Sequence, residues 1–382
     1  MRRILEYTPS ATRLIDFFCK TFITSFDKVK PFEKFDIIFI GSNQLNECDS
    51  ILEHTTDTTI FYIDSVTESS GFYGVYENTL NFKNRIGVSS DRIVLVCDVI
   101  SDNDFDKITD FKVFNSKHFP FYAYLTFTHD SFSVFNGHQL QMMENLPMNS
   151  NRTNLFVSRN GRFNEFRAYT LYQLFKNDLV SSGIISAFFY GSNKTIHREF
   201  KDATYFNQFM DKDYWDNNVA SKFPITIDKF FLGWDENENA DISGELHHTD
   251  VFSNAYVDLV TENINYSPIK FEYNTLTEKS LKPFIFYQLP IFITYQNNLK
   301  CLRDMGFDLF DDILDNSYDE IEDPKQRIDV ALSNLIKLKD IDLSNYFEEN
   351  KIRFINNRNL IFKLAFADGL NDIFRFINFM NI

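Results

Sequence analysis

Short apolar runs recur along the first part of the chain, separated by longer mixed segments, and this pattern limits the folds that the chain can adopt. The runs occupy residues 36–40, 59–64, 92–98 and 121–127. Apolar runs of about four to eight residues, spaced by roughly 20 to 30, are typical of βαβ units, because a parallel strand covered on both faces has no polar face. We therefore predict a doubly wound parallel sheet in the first half of the chain.

A second series of the same kind follows residue 152. Residues 153–158 are predicted to form a strand, and Arg159, Asn160, Gly161 and Arg162 a loop after it. Apolar residues then recur at helical spacing, namely Phe163, Phe166, Leu171, Leu174 and Phe175. Further predicted strands are 184–190, 256–261 and 290–294, with a helix over 277–288. The second half therefore repeats the α/β pattern.

The boundary between the two halves is predicted near residues 145–152. Residues 138–152 are polar, contain a proline and lack a clear period, as expected of an interdomain linker. We predict one domain over 1–148 and a second over 149–350. The final segment, 351–382, is predicted to be a helix that packs back across the domains.

Composition and charge restrict what such a fold can bind. The chain has 382 residues, 44% of them hydrophobic, and can therefore bury enough apolar area to offset the entropy of ordering. Its formal charge of −16 disfavours nonspecific binding to nucleic acid, so an anionic ligand needs a local cationic pocket. The sequence shows neither an apolar run of ~18 residues nor a signal peptide, and we expect a cytoplasmic protein. Its 4 cysteines are too scattered to favour a disulfide framework or structural zinc.

A group of arginines interrupts the acidic character of the chain. Its members are Arg152, Arg159, Arg162 and Arg167. An arginine between a strand end and a helix start lies where open α/β sheets bind ligands, and its planar fork pairs with phosphate. Arg159 and Arg162 are the better candidates because they bracket the predicted turn. The alternative is that these arginines pair with the acidic surface, and spacing alone leaves both interpretations open.

A second group of polar residues lies at the ends of predicted elements. Glu262 and Asn263 follow a predicted strand. Thr277 is a suitable N-cap, which places Glu278 and Lys279 in the first turn of a helix. A glutamate there can accept both hydroxyls of a ribose, and the lysine can hold a diphosphate together with backbone amides. The alternative is that Glu278 only complements the helix dipole and that Lys279 is solvated.

The sequence around this second group resembles the nucleotide-sugar-binding domain of GT-B glycosyltransferases, especially fucosyltransferase-like and exostosin-like members. The similar segments are YVDLVTEN, which begins at Tyr256, and NTLTEKSLKPFIFYQLPIFITY, which ends at Tyr295. The stretch that follows, LKCLRDMGFDLFDDILDNSYDEIEDPKQR, resembles the tail of uncharacterised phage glycosyltransferase-like proteins.

The resemblance implies a GT-B fold, in which two Rossmann-like domains face a central cleft and a C-terminal helix returns to the first domain. It also implies a UDP- or GDP-sugar donor, bound by the second domain with no metal required. On this basis Glu278 holds the nucleotide ribose, and Lys279 with Arg159 or Arg162 holds the diphosphate. Pro283 lies inside the predicted helix, where proline lacks an N–H donor, so we expect a short first turn or a kink.

The resemblance also implies that Glu262 and Asn263 line the donor pocket. An inverting transferase needs, in addition, a carboxylate that removes the proton of the acceptor hydroxyl. Asp64, at the end of a predicted strand in the first domain, is the favoured candidate for this base, with Glu68 in the same loop. Both residues are equally compatible with ordinary helix caps, and Asp98 is a further strand-end candidate.

The polar clusters in the sequence do not favour a metal site. His247 and His248 lie in a polar stretch without the fixed spacing of zinc ligands. Residues 311–323 hold seven acidic residues, but they lack the glycine and spacing of a calcium loop and are interpreted as a loop with helix caps. No Asp-x-Asp stands beside an apolar strand in the second domain, and no glycine-rich phosphate loop is present.

Three functions remain open at this stage. The acceptor of a glycosyltransferase is either a glycan or a modified base, and the second case is a phage DNA glycosyltransferase acting on 5-hydroxymethylcytosine or a related pyrimidine. The third possibility is a noncatalytic α/β interaction protein. The composition is biased, with 44 Phe against 12 Gly, and this bias indicates that the chain is encoded by an AT-rich, viral genome.

Overall fold

The structure is a computed structural model that describes residues 4–6, 23–25, 33–41, 45, 49–64, 72–97, 111–115, 146–162, 164–190, 205–222, 225, 249–262 and 278–380. The strands are β1 (Ile4–Glu6), β2 (Ile23–Ser25), β3 (Ile37–Gly41), β4 (Ile60–Asp64), β5 (Ile93–Cys97), β6 (Lys112–Asn115), β7 (Asn154–Arg162), β8 (Gly183–Tyr190), β9 (Ala255–Thr261) and β10 (Leu289–Ile293).

The helices are α1 (Phe72–Ile86), α2 (Glu165–Lys176), α3 (Lys212–Tyr214), α4 (Thr249–Ser253), α5 (Glu278–Ile285), α6 (Asn298–Asp304), α7 (Pro324–Leu338), α8 (Leu343–Glu349), α9 (Lys351–Lys363) and α10 (Leu370–Met380). Shorter helical turns lie at Asp49–His54, Ser90–Arg92, Val180–Ser182, Phe206–Phe209, Trp215–Val219, Ala220–Lys222, Asn316–Glu320 and Leu364–Gly369.

The described residues form two compact units. The first contains the described residues up to 115 and those from Phe362 on, and the second contains those from 146 to Ile361. Each unit has one sheet, and the pairing between neighbouring strands is parallel in both sheets. The prediction of a mixed α/β chain with two parallel sheets is therefore confirmed.

The sheet of the first unit has the strand order β2-β1-β3-β4-β5-β6. Alternate residues of its central strands fill two cores, one on each face. One core joins strand residues to α1 and contains Ile38, Ile40, Phe61, Ile63, Ile93, Leu95, Phe82 and Ile86. On the other face, Phe376 of α10 packs against Phe39, Tyr62 and Phe114, with ring centroids 6.4, 5.7 and 4.8 Å away. Burial on both faces explains the continuous apolar runs in the sequence.

Three of the four strands predicted for the first half are confirmed, as β3, β4 and β5. The fourth, predicted at 121–127, lies outside the described residues. β1, β2 and β6 were not predicted, because strands of three or four residues are too short to show a hydrophobic period. The C-terminal segment of the first unit begins at Phe362, eleven residues after the predicted start of the final helix at Lys351.

The sheet of the second unit has the order β10-β9-β7-β8. Numbered within the unit, this is the order 2-1-3-4, which the first four strands of the first unit share. Helix α2 follows β7 and leads to β8, whereas α5 follows β9 and leads to β10 on the other side. Gly183 of β8 lies opposite Phe156 of β7, and the aromatic ring occupies the space that a Cβ atom at Gly183 requires.

The strand and helix predictions for the second half are largely confirmed, with one correction. Residues 159–162 were predicted to form a loop, but β7 continues through them to Arg162 with a register shift against β8. Gly161 in this segment had indicated a turn, and pairing with β8 overrides that local signal. The end of the predicted linker, residues 146–152, belongs to the second unit, where the carbonyl of Leu146 accepts a hydrogen bond from the Tyr287 hydroxyl at 3.3 Å.

Candidate functional site at the carboxyl edge of the second sheet

The strand order of the second sheet reverses between β7 and β9. From β7 the chain continues through α2 to β8, on one side of the β7–β9 pair. From β9 it continues through α5 to β10, on the other side of that pair. Both helices follow the carboxyl ends of their strands and therefore begin at the same edge of the sheet. Open α/β sheets bind ligands in the crevice at such a point, because diverging connections leave space between the strand ends.

Glu262 connects three elements at this edge. It directly follows β9 and is 3% exposed, and its backbone N–H donates to the carbonyl of Ile293 in β10 at 3.0 Å. Its Oε1 accepts a hydrogen bond of 2.7 Å from the Ser280 hydroxyl in the first turn of α5. Its backbone carbonyl accepts from Nδ2 of Asn164 at 3.3 Å. The Glu262 side chain is therefore held in one orientation where both helices begin.

The start of α2 adds a helix N-cap and a buried guanidinium. Asn164 is the N-cap, and its Oδ1 accepts from the backbone N–H of Arg167 at 2.8 Å. Arg167 is buried, and its Nε and Nη2 atoms donate to the carbonyl of Thr261 at 3.3 and 3.1 Å. A positive side chain and the positive end of a helix thus lie beside the last residue of β9.

The first turn of α5 contains Glu278, Lys279 and Ser280. The helix starts at the residue after the predicted N-cap, Thr277, which lies outside the described residues. Lys279 is half-buried and Ser280 is buried. Pro283 lies inside the helix, as the sequence indicated. We call the group of residues at this edge the β7–β9 site: Asn164, Arg167, Thr261, Glu262, Lys279 and Ser280.

The structure separates Arg152 from the other arginines. Arg152 precedes β7, and its guanidinium donates to the carbonyls of four residues: Asn149, Ala255, Phe286 and Tyr287. It also lies over the ring of Phe347 at 4.9 Å, and burial lowers its pKa to about 9. Including Arg152 in a phosphate-binding group was therefore wrong, since its donors hold the backbone together at the amino edge of the sheet.

The two preferred arginines end β7. Arg159 places its guanidinium carbon 4.2 Å from the ring centroid of Phe252 in α4, the helix before β9. A guanidinium stacked by its flat face on a ring keeps its N–H groups at the edge of the plane, where they donate hydrogen bonds. The backbone of Arg162 forms the last residue of the strand.

The remaining predicted site residues are placed only in part. Asp64 is the last residue of β4, at the carboxyl edge of the first sheet, with Gly41 as its register partner in β3. Glu68 and Asn263 lie outside the described residues.

The acidic run serves the ends of helices, as interpreted from the sequence. Asp319 accepts hydrogen bonds from the backbone N–H groups of Leu299 and Lys300 in α6, at 2.9 and 3.0 Å. Asp323 is the N-cap of α7, and Asp311 pairs with Arg303 at 2.6 Å. Within the described part of the chain, no group of three or more His, Cys, Asp and Glu side chains is arranged to hold a metal ion.

Sequence reasoning missed Asn164 and Ser280 and gave Arg167 less weight than its neighbours. Asn164 had a readable signal, because asparagine before a helical apolar period is a common N-cap. Ser280 had none, since its hydrogen bond joins residues 18 positions apart.

The fold and the site define an α/β protein with an open parallel sheet and a charged polar site where the strand order reverses. No family model matches the chain, and no curated protein matches it. Among the described helices, none is long and apolar enough to cross a membrane.

Proposed function

We propose that this chain is a glycosyltransferase that moves a sugar from a UDP- or GDP-sugar to an acceptor hydroxyl, with no metal required. The observation that carries the proposal is the convergence of Glu262, the first turn of α5 and the arginine-bearing end of β7 at one edge of a parallel sheet. The family resemblance of the same segments supports the same reaction.

The charges of the β7–β9 site suit the departing nucleotide. Negative charge develops on the diphosphate as the sugar leaves, and positive groups fixed in advance stabilise that charge most effectively. Lys279, Arg167 and the amino ends of α2 and α5 supply them, together with Arg159 or Arg162. Glu262, oriented by Ser280, accepts hydrogen bonds from hydroxyl groups of the donor.

The proton of the acceptor hydroxyl needs a base if the reaction inverts configuration. We assign this role to Asp64, at the carboxyl end of β4, or to Glu68 four residues later. In the balanced step the acceptor oxygen bonds to the anomeric carbon, the bond from that carbon to the diphosphate breaks, and the base takes the proton.

Substitution of the first turn of α5 tests the proposal. We expect Lys279→Ala and Glu278→Ala to keep the fold, judged by circular dichroism, and to lower donor turnover by about 10²- to 10³-fold. Lys300→Ala is the control, because this exposed lysine on α6 pairs with Asp304 and should keep full turnover. Unchanged kinetics in both site variants would remove the assignment.

Two further measurements separate the alternatives. Calorimetric titration with UDP, GDP and other nucleotides distinguishes a transferase from an interaction protein, which binds none of them. If the acceptor is DNA, activity on a hydroxymethylated duplex should fall steeply with salt, because phosphate contacts release counterions.

A further inference from the structure

Two buried polar atoms at the carboxyl edge of the second sheet lack hydrogen-bond partners among the described residues. They are Oδ1 of Asn160 and Oγ1 of Thr261, in side chains that are 0% and 2% exposed. Buried polar atoms are paired in the great majority of native structures, because an unpaired one destabilises the fold. Two such atoms at one edge therefore call for a partner that binds there.

The strand register places the two side chains on the same face of the sheet. Phe156 of β7 and Val257 of β9 are register partners. Side chains alternate between faces with a period of two, so Asn160 and Thr261, each four residues farther along, share that face and the same level. Arg167 donates to the carbonyl of Thr261, and the first turn of α2 therefore lies at this pair as well.

The pairing of β7 with β9 ends before these residues. The last register partners are Val157 and Asp258, although β7 continues to Arg162 and β9 to Thr261. Asn160 pairs instead with β8 on the other side. The two unpartnered atoms therefore lie beyond the last register partners of β7 and β9.

We infer that Asn160 and Thr261 form a subsite for a hydroxyl group of the nucleotide-sugar, an inference that rests on the proposed function and adds a specificity element to it. An amide oxygen only accepts hydrogen bonds, whereas a threonine hydroxyl both donates and accepts. A ligand hydroxyl satisfies both atoms. A phosphate oxygen, which only accepts, is unsuitable beside Oδ1 of Asn160, so this subsite itself does not take a phosphate.

The test is Thr261→Val, which removes one unpartnered atom and almost nothing else, because the Arg167 bond goes to the backbone. We expect the melting temperature of the ligand-free protein to stay the same or rise. We expect the Kd for UDP-glucose or GDP-mannose, whichever the wild type binds, to rise about tenfold. Asn160→Leu is the second variant and should act in the same direction on binding.

Thr170→Val is the matched control. Thr170 is also 0% exposed and its Oγ1 atom is unpartnered among the described residues, but it lies in the middle of α2 and not at a strand end. This control should leave the Kd unchanged. If the Kd for the free nucleotide, UDP or GDP, also rises, the subsite is assigned to a ribose hydroxyl. If only the Kd for the sugar nucleotide rises, the subsite is assigned to the transferred sugar.

The outcomes also separate this inference from the proposed function. If wild type binds the sugar nucleotide and both variants bind it equally well, the subsite is wrong and the proposed function stands. A lower melting temperature of Thr261→Val with unchanged binding assigns the two atoms to an ordered internal water and likewise overturns the subsite. If wild type binds no nucleotide or sugar nucleotide, both proposals fail.

Discussion

Single residues of the same type have different roles in this chain. Arg152 gives its donors to four backbone carbonyls, Arg159 stacks on an aromatic ring, and Arg167 donates to the last residue of β9. Sequence spacing grouped them because they lie within sixteen positions of one another. Their roles differ because each guanidinium meets a different surface once the sheet has formed.

Arg152→Met should strongly destabilise the second unit. Removal of the guanidinium leaves buried carbonyl groups without donors, and the expected loss is about 3 kcal/mol or more in the free energy of unfolding measured with urea. Arg303→Met is the control, because its pair with Asp311 is largely exposed and such pairs contribute less than about 1 kcal/mol. Equal losses in the two variants would show that the four carbonyl bonds contribute little.

At the scale of elements, Arg353 attaches α9 to the chain that follows α6. Its guanidinium donates to Asp308 at 2.6 Å and to Asp312 at 2.8 Å, and it lies over the ring of Phe310 at 4.8 Å. The hydrogen bond from Arg353, assisted by one from Tyr346, holds the pKa of Asp312 below its usual value of 3.8. The contact of Arg353 with Asp312 therefore stabilises the packing of α9, and its strength depends on pH.

Acid should weaken this attachment. A carboxyl group whose pKa is lower in the folded state than in the unfolded state stabilises the folded state at a pH above its unfolded pKa. For Asp312 this stabilisation is lost as the pH falls below 3.8 and through the lower pKa of the folded state. We expect Asp312→Asn to lose less stability than wild type when the pH falls from 5 to below 3.8. Urea unfolding at several pH values measures this.

The pH dependence of stability has to be tested by substituting Asp312 alone, because another carboxyl group in the acidic run has the opposite effect on it. Burial raises the pKa of Asp319, which therefore acts on stability in the opposite sense to Asp312. An identical pH dependence in Asp312→Asn and wild type would contradict the role given to Arg353.

At the scale of the whole molecule, the end of the chain completes the core of the first unit. Phe376 of α10 is 2% exposed and packs on the face of the first sheet opposite α1. A parallel sheet needs cover on both faces, and here one cover comes from residues more than 250 positions beyond the last described strand of that sheet. Residues from Phe362 on therefore contribute part of the core of the first unit.

Phe376→Ala should destabilise the first unit by about 3–5 kcal/mol, the usual cost of removing a buried aromatic ring. Phe374→Ala in the same helix is the control, because Phe374 is 58% exposed and should change stability by less than about 0.5 kcal/mol. Denaturant unfolding, followed by protease sensitivity of the first unit, measures both. A small effect of Phe376→Ala would mean that α10 is not needed to cover the sheet.

The sequence predicted the central strands of both sheets because burial on two faces leaves an apolar run that is visible without a structure. It also predicted the first turn of α5, where threonine, glutamate and lysine follow one another. It did not predict that β7 continues to Arg162, because a glycine within that segment locally favours a turn.

Local patterns in the sequence by themselves determined the α/β class, the main strands and the helix that bears Glu278 and Lys279. Only the tertiary structure decided the strand order, the partners of each arginine, and the bond between Ser280 and Glu262. The physical reason is the separation in sequence over which each kind of interaction acts. Hydrophobic period and capping act over a few residues, whereas strand order and buried hydrogen bonds join residues distant in sequence, whose pairing follows from how the whole sheet packs.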